Sequence, residues 1–166
     1  MDLAGRVPND NHDEVTPSDL TEALLTASRV LVAVAARSLA IGDSDVTLVQ
    51  YRALVVLASR GPHHVGELAH ALDVHPSTAT RLCDRLVARN LIRRAVDRVN
   101  RRETVVELAA AGRALVERVT DVRRTEISGI VGRIPDGLRR PAVAALLAFS
   151  AAAGEPADRA WTLGWS

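Results

Sequence analysis

Between Gly61 and Gly112 the spacing of apolar residues changes period twice, from helical to alternating and back to helical, and no other feature constrains the fold as strongly. Val65, Leu68, Ala69 and Leu72 recur at i, i+3, i+4 and i+7, the stripe of a short amphipathic helix. Asp73-Val74-His75 reads as a tight turn, and Pro76 suits a first helical position, where its missing N–H has no intrahelical acceptor to lose. The next helix carries Ala79, Leu82, Cys83, Leu86 and Val87 on one face and Ser77, Thr78, Arg81, Asp84 and Arg85 on the other. Asn90 follows where a left-handed backbone is wanted, which asparagine tolerates. Leu91 to Val96 and Glu103 to Leu108 then alternate polar and apolar around the loop Asp97-Arg98-Val99-Asn100-Arg101-Arg102, the pattern of a half-exposed hairpin.

Charge is concentrated in the same stretch. Arg81 to Arg102 holds eight arginines and two acids, whereas the whole chain of 166 residues is formally +1. A basic stripe on two short helices joined by a turn is the electrostatic footprint of a DNA-binding module. The chain has no lysine, so phosphate contacts would come largely from planar, forked guanidinium groups. An arginine cluster can also be only a solvated face; the helical spacing and the hairpin beside it weigh against that.

The flanking segments read as helices. Leu20, Leu24, Ala27, Leu31, Val34 and Leu39 recur at helical spacing between Ser18 and about Ile41, with Ser18 or Thr16 as cap, and Gly42 to Asp45 breaks the helix. Thr47 and Gln50 resemble a capping box for a second helix running to about Ser59, and Gly61-Pro62 ends it. A long helix is expected from about Ala110 to Val131, with Pro135 as its stop and a last helix from about Pro141 to Ala153. Apolar residues make up 48% of the chain and are mostly Ala, Val and Leu, with four aromatics (Tyr51, Phe149, Trp161 and Trp165), which favours helices packed on helices.

Three motifs in order resemble the MarR family of bacterial winged-helix regulators. Thr47-Leu-Val-Gln50-Tyr51 is similar to that family's "LTxxQ" helix start. Val65 to Arg89, with PSTATRLCDRLVAR, is similar to its helix-turn-helix, and Asp97-x-x-Asn100-Arg101-Arg102 followed by Leu108 and Gly112 to its wing and long helix. The chain departs from the family pattern at Asn100, where the wing usually has aspartate, at Ala109, where a capping threonine is usual, and at Asn90, where glycine is usual.

The resemblance implies a mainly α fold with a small β-hairpin wing, a winged helix-turn-helix DNA-binding domain over residues 46–109. A helical dimerisation region would take residues 17–45 and 110–155, with a flexible acidic tail at 1–16 and a C-terminal tail at 156–166. The function it implies is a sequence-specific transcriptional regulator, a ligand-responsive repressor acting as a homodimer on a pseudo-palindrome of double-stranded DNA. The helix after Pro76 would enter the major groove. Ser77, Thr78 and Thr80 would touch phosphates or base edges, Arg81 would bind guanine bidentately, and Arg85 would lie beside them. His64 would meet the DNA backbone. Arg98, Arg101 and Arg102 would serve the wing, with Arg101 the better match for the minor groove. A small, often aromatic, anion or an oxidant would act as effector.

Several competing readings concern single residues. Cys83 lies on an apolar helix face, where it reads as a small buried hydrophobe rather than a redox sensor. His63, His64, His70 and His75 match no usual metal-ligand spacing, so neither metal nor cofactor is expected. Trp161 and Trp165 read as packing against a partner subunit or as part of a mobile end rather than as a ligand cage. A protein-binding winged-helix module is the alternative function. Enzyme chemistry is not expected, since no Gly-rich phosphate loop, nucleophile elbow or paired-carboxylate site is present. With a single cysteine, no intrachain disulfide can form. No apolar run approaching the roughly 20 residues of a bilayer span is expected, and the acidic first fifteen residues do not read as a secretory signal. The expected setting is therefore the cytoplasm, without a membrane partner.

Overall fold

The computed structural model describes residues 15–42, 45–97 and 104–154. In chain order the elements are α1 (Pro17–Gly42), α2 (Leu48–Arg60), α3 (Val65–Leu72), α4 (Pro76–Ala88), β1 (Ile92–Val96), β2 (Thr104–Leu108), α5 (Ala110–Val131) and α6 (Asp136–Ala152). The chain divides into two units between Ala33 and Val34. The first is the N-terminal part of α1. Thr16 caps it: the Thr16 hydroxyl accepts from Asp19 N–H at 3.2 Å, and the Asp19 carboxylate accepts from the Thr16 N–H and hydroxyl. That hydroxyl, and then the N–H, hold the Asp19 carboxyl below its ordinary range. Thr16, rather than Ser18, therefore starts the helix. Leu20, Leu25, Val30, Leu31 and Val32 of this unit are exposed.

In the second unit α2 packs against α3, α5 and β2, and α4 packs against α3 and β1. Leu54, Leu68, Leu86, Ile92, Val106, Leu115, Val116 and Val119 are fully buried at the centre. Their burial is the consequence of the helical stripes and of the inward face of the hairpin meeting in one place. The α2 capping box is present: Thr47 Oγ1 accepts from Gln50 N–H at 3.3 Å, and Gln50 Oε1 accepts from Thr47 N–H at 2.9 Å. Asn90 adopts φ 56°, the left-handed backbone expected of it, and Asp73 joins it at φ 53° as the C-cap of α3.

The hairpin is antiparallel, with Arg93 opposite Glu107, Arg94 opposite Val106 and Ala95 opposite Val105. His63 adds a bridge on the other edge of β2: its N–H and C=O exchange hydrogen bonds with Val106 at 3.1 and 2.9 Å. One residue of the α2–α3 connection thus anchors the hairpin to the helices. Ala109 has no side-chain cap, as its residue type dictates, but its N–H donates to the Leu91 carbonyl at 3.1 Å.

Two expectations are corrected. α6 begins at Asp136, not Pro141: Leu138 N–H bonds Pro135 C=O at 3.0 Å and Arg139 pairs with Asp136 at 2.7 Å, so Pro141 falls inside the helix. The fixed proline φ is helical, but Pro141 is the sixth residue of α6, past the first turn, so it lacks the N–H that would reach the Gly137 carbonyl. The second correction concerns α1. At 26 residues it is long and apolar enough to cross a membrane by length and composition. The most apolar part of it still carries Arg29 and Arg37. None of the side chains of α6 is buried, and Leu138, Val143, Leu146, Leu147 and Phe149 are exposed.

Candidate nucleic-acid interface

The site is organised by α4. Ala79, Leu82, Cys83 and Leu86 bury one face of it, and this fixes the rotation of the helix about its axis. Ser77, Thr78, Thr80, Arg81, Asp84 and Arg85 are all left exposed. Pro76 takes the first helical position and His75 is the N-cap. The His75 Nδ1 accepts from Ser77 N–H at 3.3 Å and lies 2.9 Å from Ser77 Oγ. Thr80 Oγ1 donates to the Pro76 carbonyl at 3.0 Å, one turn back along the helix.

Charge on this surface is sorted by ion pairs. Arg94 of β1 meets Asp84 of α4 at 2.6 Å, and Arg93 meets Glu107 across the hairpin at 2.6 Å. Arg81 and Arg85 have no ion pair among the described residues. Their guanidinium charge is therefore uncompensated locally on the exposed face of α4. Arg94 takes Asp84 as its partner. Arg93 takes Glu107 instead, because the register sets the two opposite each other.

Asp97, at the root of the hairpin loop, is engaged by His64. The His64 Nε2 is 3.1 Å from Asp97 Oδ2, its Nδ1 is 3.4 Å from the Thr104 carbonyl, and its backbone N–H donates to Glu67 Oε2 at 2.8 Å. His64 thus joins the start of α3 to both strands of the hairpin. Arg98, Arg101 and Arg102, with Asn100, lie outside the described residues, as do Trp161 and Trp165 and most of the two proposed tails.

Cys83 is completely buried. Burial pushes its thiol up from the ordinary range, partly offset by the nearby Arg94 charge. No group of three or more His, Cys, Asp or Glu side chains that could hold a metal ion occurs among the described residues.

Sequence reasoning misses the roles of His75, His64 and Glu107. His75 carries a signal that could have found it, because a proline at the first helical position makes the preceding residue the cap. Counting the hairpin inward from the Asp97 to Arg102 loop would set Arg93 opposite Val106, so the Arg93–Glu107 pair follows only from the observed register, in which Val96 faces Thr104. The contact between His64 and Asp97 has no signal, since it spans two elements whose docking only packing decides.

Comparison with known proteins places this geometry. The family model described as "MarR family" matches residues 46–104. RV1404 from Mycobacterium tuberculosis, a solved structure, is 44% identical, with a TM-score of 0.78 covering 86% of this chain and 97% of that one. The HTH-type transcriptional repressor NicR of Pseudomonas putida is 33% identical over 82 residues, 49% of this chain and 52% of that protein. The chain spans about half the length of the curated relatives it matches. A mutant of MepR from S. aureus bound to an oligodeoxyribonucleotide shares the fold at 23% identity and a TM-score of 0.58, covering 84% of this chain and 99% of that one.

Proposed function

The chain belongs to the MarR family, and on that basis we propose that it is a sequence-specific DNA-binding transcriptional regulator, acting as a homodimeric, ligand-responsive repressor. One observation carries the reading: α4 turns hydroxyls and locally uncompensated arginines outward on a single face, with the hairpin beside it. Short polar groups at the N-terminal end of such a helix suit base edges and phosphates in the major groove, and Arg81 has the forked donors that match guanine O6 and N7. Ser77, Thr78, Thr80, Arg81 and Arg85 form the reading surface. His64, held against Asp97 at the root of the wing, meets the DNA backbone, and Arg98, Arg101 and Arg102 supply the wing's charge to the minor groove. NicR, named as a transcriptional repressor, and MepR, solved with an oligonucleotide, support the same reading.

The proposed domain division is residues 46–109 for DNA and residues 17–45 with 110–155 for dimerisation. It is supported by exposed Leu20, Leu25 and Leu31 on α1 and by Leu146, Leu147 and Phe149 on α6. Apolar side chains at helical spacing that find no cover within one chain are what a second copy would bury. Two copies of α4 would then read half-sites about 10 bp apart. Response to a small-molecule effector rests on family membership.

Fluorescence anisotropy on the DNA upstream of its own gene and on a scrambled duplex, at two salt concentrations, tests the proposal. Tight binding that prefers the upstream DNA and weakens steeply with salt is expected, because neutralised phosphates release counterions. Absence of binding to either duplex at low salt would overturn it and favour a protein partner instead.

A further inference from the structure

We infer that Arg37 and Glu126 are positioning residues for DNA reading: their ion pair fixes the angle between α1 and α5, and through it the half-site spacing that two copies of α4 accept. The inference rests on the DNA-binding dimer proposed above.

The last turns of α1 belong to the same unit as α4 and the hairpin. Val34, Ser38 and Leu39 are buried there, and Leu39 joins the core cluster that holds Leu115, Val116 and Val119 of α5. Polar contacts fasten the two helices at two levels. At one, Glu126 Oε1 accepts from Arg37 Nε at 2.9 Å and also from its Nη2. At the other, Arg118 Nε donates to the Gly42 carbonyl at 3.3 Å, and α1 comes so close to α5 that a Cβ on Gly42 would collide with Val119 Cγ2. Later residues of α1 meet earlier residues of α5, so the helices run in opposite directions here.

Two levels constrain what one cannot. The close approach at Gly42 acts as a pivot, and the apolar contacts beside it are non-directional. Arg37 meets Glu126 about two helical turns farther along α5, roughly 10 Å from the pivot at about 1.5 Å per residue. A directional contact at the end of that lever fixes the angle.

α5 is in turn joined to the reading helix. The Leu91 carbonyl accepts the Ala109 N–H at 3.1 Å, and the Leu91 N–H donates to the Leu86 carbonyl of α4 at 3.0 Å. Arg123 of α5 also lies over the Tyr51 ring of α2, 5.5 Å from its centroid. An orientation of α1 against α5 is therefore an orientation against α4 as well. Leu20, Leu25 and Leu31, proposed to meet the second copy, lie on the same helix α1. Its angle to α5 thus sets how far apart the two α4 helices stand. The pair itself is partly exposed, 56% for Arg37 and 30% for Glu126, and pairs of this kind contribute little to stability. Its loss should change spacing without unfolding the protein.

The test uses the full chain as wild type, Arg37→Glu, Glu126→Arg and the double reversal. Selection from a randomised duplex library by the wild type supplies the palindrome. Anisotropy titrations then compare that duplex with versions in which one base pair, roughly 3.4 Å of duplex, is added or removed between the half-sites, and with a duplex of one half-site. The wild type should bind the altered spacings about tenfold more weakly. Each single reversal should cut that preference by about fivefold, because like charges then face each other. Affinity for the single half-site and the urea midpoint should stay as in the wild type. The double reversal should recover most of the preference. An unchanged preference in both single reversals, no recovery in the double reversal, or a parallel loss on the single half-site would overturn the inference while leaving DNA binding intact. Selection of a lone half-site by the wild type would overturn the dimeric reading, and the inference with it. Selection of no sequence at all would overturn the DNA-binding function.

Discussion

The guanidinium of Arg94 and the carboxylate of Asp84 meet at 2.6 Å, joining β1 to the exposed face of α4. The pair withholds one positive charge from the surface where Arg81 and Arg85 remain open. Exposed ion pairs of this kind contribute about 0–1 kcal/mol to stability, so the electrostatic effect outweighs the structural one. Asp84→Ala should leave urea unfolding nearly unchanged. It should strengthen binding to scrambled DNA, and the plot of log affinity against log salt should steepen by about one unit for each phosphate newly neutralised. Titrations over a series of salt concentrations check this; an unchanged slope would mean that Arg94 stays clear of DNA.

Arg81 is expected to behave differently from the wing arginines. Arg81→Ala should weaken binding to the preferred duplex by about 1–3 kcal/mol and relax selection at one base position. Arg101→Ala should weaken all sequences more evenly. Parallel anisotropy titrations on matched and single-base-changed duplexes separate the two patterns, and wild-type behaviour in both variants would show that the reading surface lies elsewhere.

Gly112 sits where α5 meets the end of the α4–β1 connection. A Cβ there would lie 2.0 Å from the Leu91 carbonyl oxygen and 2.9 Å from Leu108 Cδ1. The same carbonyl accepts the Ala109 N–H, so it cannot retreat without uncapping α5. Gly112→Ala should therefore destabilise the fold by about 1–3 kcal/mol, although alanine is the better helix former by about 1 kcal/mol. Urea unfolding of the variant measures the balance, and a stabilised protein would refute the steric account.

Cys83 should be inert in the native state. Its thiol is buried and its ionisation is disfavoured. A thiol reagent should modify it only at the rate of unfolding, and Cys83→Ser should leave any release of DNA by peroxide unchanged. A folded-state pKa raised above the unfolded one means that the unfolded thiol ionises first. The stability contributed by Cys83 is thus complete below about pH 8.5 and declines as pH rises above it. Comparing Cys83→Ala with wild type by urea unfolding at neutral and alkaline pH should show this component vanish in the variant.

Leu147 and Phe149 are exposed on α6, a helix with no buried side chain of its own in the single chain. If a second copy covers this face, Leu147→Glu should place a charge in an apolar contact and shift the protein toward monomer in analytical ultracentrifugation. Specific DNA affinity should fall at the same time, because one copy of α4 contacts only a half-site. A variant as dimeric as wild type would remove α6 from the interface.

Much of the fold and of the candidate site is legible in the sequence. The stripe of Ala79, Leu82, Cys83 and Leu86 sets which side of α4 is buried, and so which residues it exposes, because period alone decides the faces of a helix. The Thr47–Gln50 capping box and the left-handed Asn90 are equally plain, since each depends on residues within one turn. The start of α6 is less so: Pro141 looks like a boundary, whereas the local bonds at Pro135 and Asp136 begin the helix earlier.

Interactions between residues close in the chain determine the elements, their buried faces and the concentration of arginine beside α4, so all of these can be read from residue order. Which charges remain open is a different matter, settled by tertiary structure. Asp84 meets Arg94, and Asp97 meets His64, only after the hairpin docks on α4 and on the start of α3. His63 likewise finds Val106, far away in the chain, because the α2–α3 connection passes along the edge of β2. Such pairings depend on where packing brings distant backbone together, and no periodicity in the chain encodes that distance.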